Sequence, residues 1–120
     1  LKTSRENPSG PWNPTLFVTD IDDGEYILIK GVDFGKGAKE LLVSCSAQMF
    51  GGRMEIRLDA PDGWKAGSLD VPNTKFKYET FRTALTKCSG VHDLYFVFKS
   101  NSMQTKNLFN FDWWEAKACR

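Results

Sequence analysis

The sequence contains few cysteines and histidines, and neither sign of charge dominates. Its 120 residues include three cysteines and one histidine. An odd number of cysteines without Cys-x-x-Cys spacing predicts neither a disulfide framework nor a zinc site. Sixteen Lys and Arg residues nearly balance 15 Asp and Glu residues, for a formal net charge of +1. That balance argues against nucleic acid as a partner and against a polybasic lipid-binding segment.

Long apolar runs are also missing. No segment approaches the roughly 18 apolar residues that a membrane-spanning helix needs. No signal-peptide pattern opens the chain. We therefore expect no membrane partner, and an export signal would lie outside this segment. A chain of this length fits one domain that buries on the order of two-thirds of its unfolded surface.

Alternation of apolar and polar residues is the strongest pattern in the sequence. In the segment 52–59 every second residue is apolar, namely Met54, Ile56 and Leu58. In the segment 107–115 aromatic residues take alternate positions, namely Phe109, Phe111 and Trp113. This period is typical of half-buried β-strands. One face of each strand is predicted to enter a core, and the polar face is available for recognition.

Strand-like segments recur about every ten residues, without helical periodicity of useful length. They predict an all-β fold, either an antiparallel sandwich or a barrel. Phe96, Phe98, Phe109 and Phe111 are predicted to lie in its core. Prolines and glycine concentrate in residues 8–14. We therefore predict an irregular N-terminal arm over residues 1–17, with Trp12 as its anchor, ahead of a sandwich over residues 18–120.

The acidic turn Asp20–Glu25 suggests a cation-binding loop. A helix–loop–helix calcium site needs glycine at its sixth position and a bidentate glutamate at its twelfth. Counted from Asp20, glycine is fifth and position twelve is Gly31. A solvated turn is therefore the favoured interpretation of this segment.

Carboxylates and the histidine offer two catalytic interpretations. Glu55, Asp59 and Glu25 could supply an acid pair for glycoside hydrolysis, which needs a defined separation and one raised pKa. The favoured interpretation is a structural or ligand-contacting row. His92 precedes Asp93, but no Gly-x-Ser-x-Gly segment supplies a nucleophile. We therefore expect no catalytic triad.

Aromatic residues are abundant, with four Trp, three Tyr and nine Phe. Their rings are surfaces on which sugar rings stack. Trp64 follows a Pro-Asp-Gly turn, where it could bind a ligand or pack as a lid. Tyr26 begins a strand, so its ring could face either the core or an open sheet surface.

Six segments, in this order and at similar spacing, resemble the family 6 carbohydrate-binding modules. They are 22–27 (Asp-Asp-Gly-Glu-Tyr-Ile), 31–35 (Gly-Val-Asp-Phe-Gly), 51–59 (Gly-Gly-Arg-Met-Glu-Ile-Arg-Leu-Asp), 71–74 (Val-Pro-Asn-Thr), 90–98 (Gly-Val-His-Asp-Leu-Tyr-Phe-Val-Phe) and 107–114 (Asn-Leu-Phe-Asn-Phe-Asp-Trp-Trp). The first two look most like modules appended to family 43 glycoside hydrolases, the arabinofuranosidase and xylosidase group. The resemblance covers about residues 18–115.

The resemblance implies a jelly-roll β-sandwich that is not itself an enzyme. Such a module tethers the catalytic domain of a secreted, extracellular glycoside hydrolase to plant cell-wall polysaccharide. Xylan, arabinoxylan or a β-glucan is the implied ligand, bound by aromatic stacking and hydroxyl hydrogen bonds. The alternative is a module that has lost sugar binding and packs against its catalytic domain as a structural unit.

The resemblance implies up to two sugar sites. At the loop site, Asp20 occupies the position of the first stacking aromatic, Phe76 corresponds to the second, and the asparagine role falls to Asn107 or Asn110. Loop-site affinity is therefore expected to be weak, unless Trp12 substitutes for the missing ring. The second site, on a concave sheet face, uses Tyr26 with Glu55 and Arg57. A solvated ladder of charge pairs is the structural alternative for that face, and Trp64 is the remaining stacking candidate.

A structural calcium ion is also implied. The family's opening strand carries glutamates that help to bind it, and no such strand is seen before Leu1. Asp112 in the last strand is the matching carboxylate. Calcium takes six to eight oxygen ligands, so we expect poor binding unless another segment supplies the missing strand.

Overall fold

The computed structural model describes residues 2–6, 15–47, 51–75, 77–100 and 109–118, with side chains only for those from 21 to 117. Nine strands form within these ranges, and none of the described residues is helical. The strands are β1 (Lys2–Glu6), β2 (Thr15–Ile21), β3 (Tyr26–Asp33), β4 (Ala38–Ala47), β5 (Gly52–Leu58), β6 (Trp64–Val71), β7 (Glu79–Ala84), β8 (Val91–Lys99) and β9 (Phe109–Ala118). The same residues accordingly include no helix that could cross a membrane.

The strands pair into two antiparallel sheets. The five-stranded sheet has the order β1-β2-β9-β4-β7, and the four-stranded sheet has the order β3-β8-β5-β6. The inner faces of both sheets contribute to one apolar core. The predicted all-β antiparallel sandwich is therefore confirmed.

Aromatic rings join the two sheets in the core. Phe96 of β8 lies 5.0 Å from Phe111 of β9, and Phe98 lies 5.3 Å from Phe109, measured between ring centroids. All four are almost fully buried, as their alternation predicts. Offset and tilted aromatic pairs of this kind contribute beyond their buried area.

Strand β6, at one edge of the four-stranded sheet, lies against β7, at one edge of the five-stranded sheet. The Thr83 hydroxyl donates to the Ser68 carbonyl oxygen at 2.9 Å, and the Thr86 amide donates to the Ala66 carbonyl oxygen at 2.9 Å. Gly67 permits this approach, because a Cβ atom there would stand 2.6 Å from a backbone oxygen of β7. We call this set of contacts the edge seam.

The N-terminal segment differs from the predicted irregular arm over residues 1–17. Lys2–Glu6 forms β1 and pairs with β2 in the register Lys2 to Thr19 and Glu6 to Thr15. The breakers are all at residues 8–14, between the two strands, so nothing in Lys2–Glu6 prevents an extended conformation. Trp12, the predicted anchor, lies outside the described residues.

The last strand also differs from its predicted pattern. Strict alternation places Trp113 on the same face as Phe109 and Phe111. In the structure Trp113 is 42% exposed. Trp114 instead packs against the core, with its ring 5.8 Å from that of Phe96.

A β-bulge explains this change of face. β4 and β9 pair Ser44 with Trp113, but the next residue, Cys45, pairs with Phe111. Asp112 is therefore the extra residue of β9, and it shifts the alternation by one position. A polar residue between two aromatic residues looks like ordinary alternation, which is why the sequence pattern misses the bulge.

Candidate functional site

The face of the four-stranded sheet that points away from the core is the candidate site, and we call it the outer face. Residues of neighbouring strands form rows across it, because side chains on one face of a sheet lie opposite one another. One row runs from Tyr26 through Val97 and Glu55 to Ser68. Two residues predicted from separate segments, Tyr26 and Glu55, therefore lie on the same surface.

A pair of tyrosine rings forms the apolar part of the outer face. Tyr26 of β3 and Tyr95 of β8 lie diagonally across the two strands, with ring centroids 5.2 Å apart and planes tilted by 58°. Tyr26 is 45% exposed, so its ring is open to a ligand. Val97 lies between the Tyr26 and Glu55 positions and is only 4% exposed. The outer face therefore combines an exposed aromatic ring at Tyr26 with a buried apolar side chain at Val97.

The phenol of Tyr95 acts as a neutral hydrogen-bonding group. Desolvation raises the pKa of Tyr95, and the nearby Tyr26, Asp93 and Asp59 raise it further. A phenol with a raised pKa keeps its proton at neutral pH and can donate it to a sugar hydroxyl.

Glu55 and two arginines form the polar part of the outer face. Arg57 donates to Glu55 Oε1 from Nε at 3.2 Å and from Nη2 at 2.8 Å. Arg53 Nη2 lies 3.2 Å from the other carboxylate oxygen, Oε2. Arg57 also donates from Nη1 to the Gly63 carbonyl oxygen at 2.9 Å. Both guanidinium groups therefore contact Glu55, and Arg57 lies opposite Tyr95 on the neighbouring strand.

Glu55 is a permanent anion in this arrangement. Its residue is only 6% exposed, and burial alone would raise its pKa. The hydrogen bond and charge of Arg57, with the charges of Arg53 and Lys65, outweigh burial and lower the pKa below its usual range. A general acid for glycoside cleavage needs a raised pKa, so Glu55 is suited to accept hydrogen bonds and unsuited to donate a proton.

The other two carboxylates considered for catalysis serve structural roles. Glu25 Oε1 accepts a hydrogen bond from the Asp22 amide at 2.7 Å within the β2–β3 turn. Asp59 Oδ2 lies 2.7 Å from His92 Nδ1, and this hydrogen bond lowers the Asp59 pKa. An acid pair of the predicted kind is therefore not present among Glu25, Glu55 and Asp59.

His92 joins the β5–β6 connection to the β7–β8 connection through two hydrogen bonds, and it is not part of a catalytic triad. Its Nε2 atom lies 2.7 Å from the Ser89 carbonyl oxygen, opposite the Nδ1 contact with Asp59. Both partners are acceptors, so both ring nitrogens carry protons when both hydrogen bonds are made. The Asp59 hydrogen bond raises the His92 pKa accordingly.

Trp64 lies away from the tyrosine pair. It begins β6, which lies about 14 Å from β3 and about 10 Å from β8, across three and two strand spacings. Its indole Nε1 donates to the Thr86 carbonyl oxygen at 2.9 Å, and Lys87 Nζ lies 5.3 Å from its ring centroid. Trp64 thus packs at the edge seam, yet 48% of it stays exposed.

The predicted loop site can be placed only in part. Phe76 and Asn107 lie outside the described residues, as does the Asp20 side chain. Asn110 alternates with core residues of β9 and pairs with Ser46 of β4. It therefore faces outward from the five-stranded sheet and is not brought together with Tyr26 or Glu55.

The described side chains do not complete a calcium site. They contain no group of three or more Asp, Glu, His or Cys residues that could hold a metal ion. Asp112 lies at the β9 bulge, where burial raises its pKa. In the acidic turn, Asp23 Oδ1 accepts a hydrogen bond from the Ser100 amide at 2.8 Å, which supports a structural role for that carboxylate.

Three residues of the outer face were not singled out from the sequence: Arg53, Tyr95 and Val97. The alternation in the segment 94–98 indicates that Tyr95 and Val97 share a face. Only the strand order places that face between Tyr26 and Glu55. Cross-strand neighbours of this kind cannot be read from one strand.

Comparisons with known proteins agree with the β-sandwich fold. The profile of the family described as Carbohydrate binding module (family 6) matches residues 2–118. An arabinoxylan arabinofuranohydrolase of Bacillus subtilis (strain 168) is 39% identical over 110 residues, which cover 90% of this chain and 21% of the relative. The chain spans about a fifth of the length of the first curated relatives that it matches.

Two solved structures extend the comparison. One is a glycoside hydrolase family 43 arabinoxylan arabinofuranohydrolase from Bacillus subtilis in complex with cellotetraose. It has a TM-score of 0.86 and 36% identity, over 98% of this chain and 24% of that one. The other is a family 6 carbohydrate-binding module from Clostridium cellulolyticum in complex with xylose. It has a TM-score of 0.79 and 28% identity, over 96% of this chain and 86% of that one.

Proposed function

This chain belongs to carbohydrate-binding module family 6, and we propose that it binds xylan, arabinoxylan or a related β-glucan through its outer face. Modules of this family bind carbohydrate without cleaving it, so the chain is non-catalytic. The absence of an acid pair among Glu25, Glu55 and Asp59 is consistent with that role.

One observation carries the choice of site: Tyr26 and Tyr95 lie beside Glu55 and its two arginines on one sheet face. The tyrosine rings offer surfaces for the C–H faces of a sugar. Glu55 and the arginines offer fixed acceptors and donors for its hydroxyl groups. A charge ladder alone would not need an open aromatic ring next to it.

The relatives support the ligand class that we propose. The curated relative is an arabinoxylan arabinofuranohydrolase, and the two similar structures hold cellotetraose and xylose. Neutral β-linked sugars of this kind suit a face whose central carboxylate is already neutralised by arginines. Xylan, arabinoxylan or a β-glucan is therefore the substrate class that we propose for the outer face.

The partner that we propose is the catalytic domain of a secreted glycoside hydrolase, acting outside the cell. The support is the size of the relatives, of which this chain spans about a fifth. A tethered binding module raises the effective concentration of substrate at the catalytic domain, so modest affinity is sufficient.

A titration with xylohexaose and cellohexaose tests the proposal, followed by amide NMR shifts. We expect shifts at Tyr26, Glu55 and Tyr95. Replacing Tyr95 with Ala removes one ring of the pair and should weaken binding by about 2- to 12-fold. Tyr95→Phe retains the ring and should keep most of the affinity.

Other outcomes of this titration distinguish the alternatives. Shifts centred on Phe76 and Asn107 would assign binding to the loop site. If the folded protein shows no amide shift with either sugar, the binding proposal is wrong. The chain would then be the structural module that packs against its catalytic domain.

We also propose a structural calcium ion with Asp112 as one ligand. The other ligands would have to come from outside the described side chains, because those contain no metal-binding group. Thermal denaturation with calcium and with a chelator tests this proposal. Calcium should raise the melting temperature of the wild type and not that of Asp112→Asn. An equal response in both proteins, or none, would exclude Asp112 as a ligand.

A further inference from the structure

A recess lies at one end of the sandwich, between the β3–β4 and β7–β8 connections. Its volume is about 280 Å³, and its lining includes Lys36, Lys39, Leu85, Lys87 and Cys88. That volume is at the lower end of small-molecule sites. The recess can therefore accept a single sugar unit or another small group, and it is too small for a long chain.

Backbone hydrogen bonds fix the walls of the recess. The Ala38 amide donates to the Cys88 carbonyl oxygen at 2.8 Å, and the Leu85 amide donates to the Lys39 carbonyl oxygen at 2.8 Å. These bonds join the start of β4 to the chain that follows β7. The backbone positions of Lys39 and Lys87 are therefore set by the fold.

The charge of the recess is positive and uncompensated. Three lysines line it and no carboxylate does. Among the described side chains, no ion pair includes Lys36, Lys39 or Lys87. Lysines that line a recess without carboxylates attract small anions, and the attraction is strongest at low salt.

An exposed aromatic ring contacts Lys87, one of the lysines that line the recess. Lys87 has a left-handed backbone, with φ of 52°, and its ammonium group lies over the Trp64 ring at 5.3 Å. The indole is held by its hydrogen bond to Thr86 and stays half-exposed. An aromatic ring therefore lies next to one cation of the recess, and aromatic rings are surfaces on which sugar rings stack.

We propose that this recess binds the carboxylate of an acidic sugar branch, of the uronic acid class, on the polysaccharide that the outer face binds. The inference rests on the proposed function, because it assumes a xylan-type ligand. Tyr26 opens β3 and the recess lies beyond its other end, roughly 20 Å or more along the strand. The recess is therefore a second contact point, separate from the outer face.

A comparison of two xylo-oligosaccharides of equal length tests the inference, one unbranched and one carrying a single glucuronic acid branch. Calorimetry gives the affinities at low and at high salt, and amide NMR locates the contacts. We expect the branched sugar to bind about threefold or more tightly at low salt. It should also shift the amides of Lys39, Leu85 and Lys87, which the unbranched sugar leaves in place.

A double variant and a matched control separate the recess from general charge effects. Lys39→Gln with Lys87→Gln should abolish the preference for the branched sugar and leave binding of the unbranched sugar unchanged. Arg82→Gln with Lys117→Gln removes the same charge from the outward side of the five-stranded sheet. That control should keep the full preference.

Each remaining outcome has a distinct meaning. If the unbranched sugar binds and the branched sugar gains nothing, the inference fails and the proposed function stands. If neither sugar binds at the outer face, the proposed function fails. Free glucuronate, titrated against sulfate at equal ionic strength, then tests the recess alone. Identical shifts with sulfate would overturn the uronic acid assignment and leave a general anion patch.

Discussion

At the scale of single residues, Glu55 determines the geometry of the outer face. Both of its carboxylate oxygens contact arginines, at 2.8 Å for Arg57 and 3.2 Å for Arg53. Glu55→Gln keeps the shape and removes the charge that holds both guanidinium groups. We expect the free energy of unfolding to fall by about 1–3 kcal/mol, as measured by chemical denaturation.

Glu40→Gln is the matched control for this prediction. Glu40 contacts Arg82 at 3.9 Å, and the Arg82 side chain is 70% exposed. Surface pairs of this kind contribute about 0–1 kcal/mol. Equal losses in the two variants would contradict the special role of Glu55.

His92 predicts how stability depends on pH. The Asp59 hydrogen bond raises its pKa above the ordinary value of 6.5. The stabilisation from protonated His92 is therefore complete below about pH 6.5 and is lost as pH rises through the folded-state pKa. The Asp59 pKa is lowered from 3.8, so the contribution of Asp59 is present above that value and is lost as pH falls through its folded-state pKa.

The stability of His92→Gln relative to wild type measures this effect. The surrounding charged groups are Asp59 and Asp93, and the Asp93 carboxylate accepts a hydrogen bond from the Gly31 amide. We expect the largest difference in free energy of unfolding near pH 5.5 and a smaller one at pH 9. A difference that is the same at both pH values would show that the imidazolium charge does not contribute.

At the scale of secondary-structure elements, the bulge in β9 makes two adjacent tryptophans unequal. Trp114 packs against the core and Trp113 is turned outward. Trp114→Ala should lower the free energy of unfolding by about 2–4 kcal/mol, close to the range for aromatic residues in cores. Trp113→Ala should change it by less than about 1 kcal/mol. Denaturation curves that rank the two in the opposite order would contradict the bulge.

Alternation within strands was enough to predict the faces of β5. Met54 and Ile56 are fully buried, and Glu55 and Arg57 face outward as their positions predict. The same reasoning failed in β9, where Asp112 is one residue too many for the partner strand. A bulge depends on the register of two strands, and the sequence of one strand does not contain it.

The residues of the candidate site, like the faces of the strands, were predictable from the sequence only in part. Tyr26, Glu55 and Arg57 were named from the family resemblance, and the structure places them on one sheet face. Tyr95 was missed because its proximity to Tyr26 depends on β8 lying between β3 and β5. Strand order arises from contacts between distant segments, which a single sequence does not display.

At the scale of the whole molecule, two buried thiols report on opening of the sandwich. Burial raises the pKa of Cys45 to about 12, with Glu79 adding to the effect, and burial raises the pKa of Cys88 to about 11. The thiolate is the reactive form. We therefore expect both to resist alkylation in native buffer at pH 8, as measured by peptide mapping.

The relative alkylation rates of Cys45 and Cys88 distinguish local from global opening of the sandwich. Cys45 lies in β4, which is paired on both sides, with β9 and β7, whereas Cys88 lies in the β7–β8 connection. Connections open more readily than central strands, so Cys88 should react first as denaturant is added. Rapid alkylation of Cys45 in native buffer would contradict the buried position of β4.

The edge seam bears on how this module behaves when many copies gather on one polysaccharide. Unpaired edge strands are templates for pairing with another copy, which leads to aggregation. β6 and β7 are edge strands of different sheets, and contacts such as Thr83 with Ser68 join them within one molecule. The seam therefore shields these two edges, so crowded neighbours on a fibre are kept from joining strand to strand there.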